Sequence, residues 1–175
     1  RSADVTDNLL IRRLSMDPST PSKIYAASSI GILATEDSGT TWTNVLPGYF
    51  IDIERHPTDP NTMYASTFDG DAQVFVSTNG GTNWSQTSNF TGIGRINIEV
   101  SAAAPDMVGL LCSDADDDGL FGLYSSADKG QNWTQFFDGH VTGNNLLGWE
   151  EDASDADGQG SYDLAFAIDP TDANK

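Results

Sequence analysis

The sequence predicts an all-β chain made of repeated four-stranded antiparallel units, and three observations carry that prediction. A pattern [S/T]-x-[D/N]-x-G-x-x-W occurs three times, as Thr35, Asp37, Gly39 and Trp42, as Ser77, Asn79, Gly81 and Trp84, and as Ser126, Asp128, Gly130 and Trp133. A second landmark precedes each copy: Asp17-Pro18 leading to Tyr25-Ala26, His56-Pro57 leading to Tyr64-Ala65, and a weaker version from Ala102 to Gly109-Leu110, with a fourth beginning at Asp169-Pro170. The tryptophans are 42 and 49 residues apart and the two tyrosines 39, which is the length of one four-stranded blade of a β-propeller.

The strands follow from β-branched and aromatic runs bounded by Gly, Pro, Asp and Asn. In the first blade, about residues 7–47, they are expected at 9–16, 23–28, 30–35 and 40–46. In the second, about 48–90, they are expected at 49–55, 62–67, 73–77 and 82–86, and in the third, about 91–138, at 94–100, 107–113, 120–125 and 131–136. No stretch reads as a helix. A crossover loop over 139–160 leads into 161–169, where Leu164, Phe166 and Ile168 alternate with Ala165 and Ala167 and predict the first strand of a next blade. Residues 1–175 then hold about three and a quarter blades of a partial propeller. Such a stack cannot close on itself, so the rest of its own propeller is the first expected partner.

Composition narrows the function. Eight Lys and Arg against 26 Asp and Glu leave a formal charge of −18, which excludes the clustered cations of a nucleic-acid binder and disfavours an anionic membrane surface. No apolar run is long enough to insert in a membrane. The N-terminus lacks a charged-then-apolar signal pattern, so the numbered chain reads as mature or excised. The lone Cys112 sits in an apolar run and reads as a small buried side chain.

In the repeated turn, the Ser/Thr hydroxyl and the Asp/Asn side chain are expected to accept backbone N–H bonds, the Gly to take a positive φ, and the Trp to plug the hairpin against its own sheet. Asp37, Asn79 and Asp128 are then structural; Asn79 fits that role and would not serve as an acid.

Strands of a blade alternate in direction, so the second-to-third turns and the blade crossovers share one face. That face collects Asp114, Asp116, Asp117 and Asp118 in one loop and Glu150, Glu151, Asp152, Asp155 and Asp157 in the next. Asp114, Asp116 and Asp118, followed by Gly119, have the alternate carboxylates of a Ca²⁺ loop, although Gly122 and Ser125 stand where its closing ligands belong. Asp155 and Asp157 with Gly158 form a weaker version. Trp149 stands outside the repeat; a Trp in a long loop more often pins the loop than displays its ring, yet with Asp155 and Asp157 it makes this the candidate ligand face. For glycoside hydrolysis, which needs two carboxylates roughly 5–9.5 Å apart, the candidates are Asp52, Glu54 and Asp163, the first two sharing a strand face as readily for structure as for catalysis. Arg1, Arg12, Arg13, Arg55 and Arg95 have no assigned role, and His56 and His140 lack a second His or Cys for a transition metal.

The repeated turn, its Trp and the Asp-Pro…Tyr-Ala landmark resemble the Asp-box, or bacterial neuraminidase repeat, family of β-propellers, in the branch similar to sortilin-type and xyloglucan-hydrolase-type proteins. Residues 158–170 also resemble propeller modules of large secreted Bacteroidetes-type surface proteins. The resemblance covers nearly the whole chain and implies a secreted or cell-surface location, but no single activity. Three readings follow: a non-catalytic module that binds a polysaccharide or extracellular protein through its acidic, Ca²⁺-loaded loop face; part of an extracellular xyloglucanase-type glycoside hydrolase; and a sortilin-like or assembly-factor-like protein binder.

Overall fold

The computed structural model describes residues 9–173; Arg1, the start of the 7–47 unit, Asn174 and Lys175 lie outside them. The described residues contain no helix and form three four-stranded antiparallel sheets. Strands β1 (Ile11–Met16), β2 (Ile24–Ser28), β3 (Gly31–Thr35) and β4 (Thr43–Pro47) make the first sheet. The second holds β5 (Phe50–Arg55), β6 (Met63–Thr67), β7 (Val74–Ser77) and β8 (Ser85–Gln86), and the third β9 (Ile93–Val100), β10 (Val108–Asp114), β11 (Leu120–Ser126) and β12 (Thr134–Asp138). Each sheet is a meander in chain order, and the inner strands β1, β5 and β9 neighbour one another across the sheet boundaries. This is the arrangement of successive blades of a partial β-propeller.

The outer strands start later than expected because residues through Trp42, Trp84 and Trp133 belong to the turns. β8 is reduced to two residues because side chains replace its ladder: Val74 N–H donates to Ser88 Oγ (2.7 Å), and Gln73 Oε1 accepts from Phe90 N–H (3.1 Å). Residues 162–168 form no strand, correcting the expectation for 161–169. A strand exists through its ladder, and no described segment pairs with this one; it lies against the third sheet, with Phe166 and Ile168 over Gly109.

Packing explains the landmarks. One buried cluster joins the first two sheets around Tyr25, Ile32, Phe50 and Ile53, and another joins the second and third around Tyr64, Val76, Ile98 and Leu110. Each such side chain contributes about 1.5–3 kcal/mol on burial. Cys112 lies in the second cluster as expected, and burial pushes its thiol pKa up. The repeated Tyr crosses to the next sheet's turn: the Tyr25 hydroxyl donates to the Gly80 carbonyl, and a Cβ at Gly81 would stand 2.6 Å from the Tyr25 ring. Tyr64 repeats this against Gly130, at 3.3 Å. Each Trp closes its own turn as expected, Trp42 and Trp84 donating from Nε1 to the carbonyls of Gly39 and Gly81 (both 3.1 Å), and Trp84 and Trp133 in addition enter these shared clusters and so join two sheets.

The Asp-Pro position is a cap repeated with different chemistry. Asp17 Oδ1 accepts the N–H groups of Ser19 (2.9 Å) and Thr20 (3.1 Å). His56 Nδ1 accepts those of Thr58 (3.2 Å) and Asp59 (3.0 Å), which sets the neutral tautomer with its proton on Nε2. Ser101 Oγ accepts from Ala103, and Asp169 Oδ1 from Thr171 and Asp172. The fourth cap thus forms although its strand has no ladder.

Candidate functional site

The three Gly-Trp turns are built alike. Thr35 Oγ1 accepts Gly39 N–H (3.0 Å) while Asp37 Oδ1 accepts Thr41 N–H (2.8 Å); Ser77 and Asn79, then Ser126 and Asp128, repeat the pattern. The glycines are left-handed, with φ of 87°, 80° and 77°, and so are the residues before them, Ser38, Gly80 and Lys129. The backbone N–H of Thr41 holds the Asp37 carboxyl down at about 2, and the Asn132 side chain does the same first for Asp128. Carboxylates so occupied are fixed as hydrogen-bond acceptors.

A second constellation forms on the inner strands. Glu54 and Glu99 pair across their ladders with Tyr64 and Gly109, and Ser15 with Tyr25, so the three stand at one level of successive sheets. Arg13 makes an ion pair with Glu54 and places its Nε 3.6 Å from Asp52 Oδ1. Asp52 is 3% exposed. Its Oδ1 accepts from Ile53 N–H and its Oδ2 from Ile98 N–H of the next sheet, both at 2.9 Å. Burial raises its pKa, and also raises Glu99 and brings Glu54 up to about 7, against the lowering effect of Arg13. Asp52 is therefore an interblade strap, and Glu54 a carboxyl whose ion pair with Arg13 works against the cost of its own burial. Asp163 does not join them: it is exposed at the start of the last segment, where its charge acts on Arg95. Of the arginines, Arg12 donates to the Tyr49 hydroxyl, Arg95 to Ser161 O (3.0 Å), and Arg55 lies over the Tyr25 ring, its Cζ 5.3 Å from the centroid.

The third constellation is the pair of acidic loops, which touch. Gly158 and Gly160 donate to the carbonyls of Asp117 (3.0 Å) and Asp118 (2.8 Å). Asn145 organises the crossover: its Oδ1 accepts from Leu120 N–H (2.8 Å), and its Nδ2 donates to the carbonyls of Asp155, Ala156 and Asp157 at 2.9–3.1 Å. Asp155 Oδ2 accepts from Trp149 N–H (2.6 Å), fixing the backbone that carries the indole. The Trp149 side chain points outward; the residue is 60% exposed, which corrects the expectation that it pins the loop. The loop is held by Asn145 and Asp155 instead. Asp157 contributes its carbonyl to that frame while remaining exposed.

The Ca²⁺ candidates are not gathered. Asp114 Oδ1 accepts from Asp116 N–H (2.8 Å) and its Oδ2 lies 2.8 Å from His140 Nε2, while Asp118 Oδ2 accepts from Ser161 Oγ (2.9 Å). Among the described residues no three His, Cys, Asp or Glu side chains are placed to hold one ion. The bond to Asp114 raises His140, which also stands 3.4 Å from Asp138.

Arg13, Glu99 and Asn145 were not singled out from the sequence. The repeat offered a signal for two of them: Glu99 precedes Ser101 by the two residues that separate Glu54 from His56, and Arg13 precedes Asp17 by the four that separate Asp52 from His56. Asn145 lies in a non-repeated loop and carried none.

No family model matches the chain. A xyloglucanase of Hypocrea jecorina (strain QM6a) is 30% identical over 125 residues, which is 69% of this chain but only 14% of that protein. Among solved structures, the GH74 xyloglucanase from Xanthomonas campestris superposes with a TM-score of 0.67 at 19% identity, covering 94% of this chain and 26% of the other. An ancestral GH74 enzyme gives 0.60 at 20% identity over 72% of this chain and 18% of its own. YCF48 bound to D1 peptide gives 0.51 at 15% identity over 79% and 43%. At these identities the likeness establishes a shared propeller fold.

Proposed function

We propose that this chain is a non-catalytic segment of an Asp-box-type propeller in a larger secreted or cell-surface protein, and that it binds polysaccharide through the crossover loop. The observation that carries this reading is the Trp149 indole, held outward on a loop braced by Asn145 and Asp155, with Tyr162 also exposed at the loop's end. An exposed indole on a rigid frame is a platform on which a sugar ring stacks with little ordering cost. The inner-strand carboxylates favour a structural role, since Asp52 is tied to Ile98 and Glu54 to Arg13. The similarity to xyloglucanases supports a parent protein that acts on a β-glucan, with its cleaving groups on other segments.

The test is affinity electrophoresis of the chain in gels containing xyloglucan, other β-glucans or acidic polysaccharides, alongside assay of reducing-end release. The expected result is retardation in a neutral β-glucan, lost in Trp149→Ala with unchanged thermal unfolding, and no release. Retardation indifferent to Trp149, or release that depends on Glu54, overturns the reading.

A further inference from the structure

The two boundaries between sheets repeat one another but part at one place. Ala34 pairs with Tyr25 where Val76 pairs with Tyr64, and Val45 and Thr87 each stand three residues after their Trp. At the second boundary this place is closed. Val76 is 3% exposed, its Cγ2 would stand 3.2 Å from a Cβ at Gly130, and Trp133 Nε1 reaches across to Thr87 Oγ1 (3.4 Å). At the first boundary Ala34 lacks both methyl groups of Val76, and Val45 offers no acceptor to Trp84, whose Nε1 donates to its own Gly81 carbonyl (3.1 Å). A groove of about 410 Å³ lies there, between the outer strands of the first sheet and the Gly-Trp turn of the second.

The lining has a definite chemistry. Ala34, Val45 and the Tyr25 ring give it an apolar wall, and Thr43 and Thr82 add hydroxyls that make no hydrogen bond among the described residues and can both donate and accept. Its charges are matched within the lining: Lys23 Nζ lies 4.0 Å from Glu36 Oε1, and the Asp37 carboxylate accepts from Thr35 and Thr41. A pyranose ring, with an apolar C–H face and a rim of hydroxyls, complements such a wall, and the volume falls within the about 300–1,000 Å³ of small-ligand clefts. We propose that this groove binds a neutral pyranose unit through the Thr43 and Thr82 hydroxyls and the wall of Ala34 and Val45. The site lies beside the Gly-Trp turns, at the other end of the strands from the crossover loop, and does not depend on binding at Trp149.

The experiment titrates the full, isotope-labelled chain with cellotetraose and follows its amide and indole N–H resonances by NMR. The amides of Thr43, Gly81 and Thr82 report the groove and the Trp149 indole reports the crossover loop, so the two readings succeed or fail separately. Saturable shifts are expected at the three amides. Ala34→Val gives the first boundary the side chain that the second already carries; it should abolish these shifts, leave the Trp149 response as it was, and keep or raise the melting midpoint. Thr43 is exposed, so Thr43→Ala removes one hydroxyl without filling the groove and should weaken binding about fivefold. Amides that stay still through the millimolar range, or shifts indifferent to both substitutions, overturn the proposal. So does equal or tighter binding of tetragalacturonate or tetraglucosamine, since charge rather than a neutral ring would then be what the groove selects.

Discussion

Replacing Tyr25 and Tyr64 one at a time by Phe separates the packing role of the repeated tyrosine from its hydroxyl chemistry. Both rings are buried at the same position of consecutive sheets. They differ at one atom: the Tyr25 hydroxyl donates to the Gly80 carbonyl, while the Tyr64 hydroxyl is buried without a partner among the described residues. Tyr25→Phe keeps the ring and its contacts with Arg55 and Lys23 but deletes a bond worth about 0.5–1.5 kcal/mol and leaves a carbonyl short of a donor, for a total of about 1–2 kcal/mol. Tyr64→Phe removes a hydroxyl whose unpaired burial costs about 1–3 kcal/mol, and breaks no bond. Its effect is expected between neutral and a gain of about 1 kcal/mol. At about 2–4 °C per kcal/mol for a chain of this size, Tyr25→Phe should lower Tm by about 2–8 °C, and Tyr64→Phe should leave it unchanged or raise it slightly. Urea titration followed by circular dichroism gives the same comparison as midpoints. Equal losses in the two variants would refute the reasoning, because the hydroxyl surroundings would then carry no weight.

The inner-strand cluster predicts a pH dependence. Glu54 titrates near 7 when folded and at the ordinary 4.5 when unfolded, so between these values the folded state keeps a proton that the unfolded state has lost, and stability falls as pH rises. Glu54→Gln should remove that slope and stabilise the chain by about 1–3 kcal/mol at pH 8, read from urea midpoints at pH 5 and 8; an unchanged slope would place the titration elsewhere. Asp37 and Asp128 act in the opposite sense, their contribution being present above about 4 and lost as pH falls toward 2. Ser38 holds φ of 60° beside Gly39, so Ser38→Gly should relieve about 1 kcal/mol of left-handed strain and raise the urea midpoint. His56→Ala strips the acceptor from two turn N–H groups and should cost about 1–3 kcal/mol, whereas His56→Asn, which restores an oxygen acceptor, should recover most of it. Since Asp114 and Asp118 are engaged by His140 and Ser161, chelator and added Ca²⁺ should leave Tm unchanged; a rise with Ca²⁺ would mean that the loop rebuilds around the ion.

Much of the fold was legible because it is periodic. Asp37, Asn79 and Asp128 recur at a fixed offset from a Gly and a Trp, and local hydrogen bonding alone folds that turn whatever surrounds it. The alternation in each strand similarly set which side chains face a neighbour. The expectation failed where the outcome depended on partners remote in the chain. The Trp side chains close their own turns as the sequence suggests, but that Trp84 and Trp133 also pack into the clusters shared with the preceding sheet, beside Tyr25 and Tyr64, was not visible in it. Residues 162–168 have the alternation of a strand and the cap of one at Asp169, yet among the described residues they find no ladder. In the candidate site, Trp149 and the acidic loops were visible as residues, but not the exposure of the indole, because the loop is held by Asn145 reaching across it to three carbonyls.

The sequence by itself determined the architecture, the turn chemistry and the exclusion of a basic binding surface, since these depend on short-range geometry, repeat length and net charge. Only the tertiary structure decided which carboxylates are straps and which indole faces solvent. Those properties arise from burial and from hydrogen bonds between residues tens of positions apart, such as Asp52 to Ile98 and Asn145 to Leu120. Such bonds form only once the sheets have packed and removed water from between them.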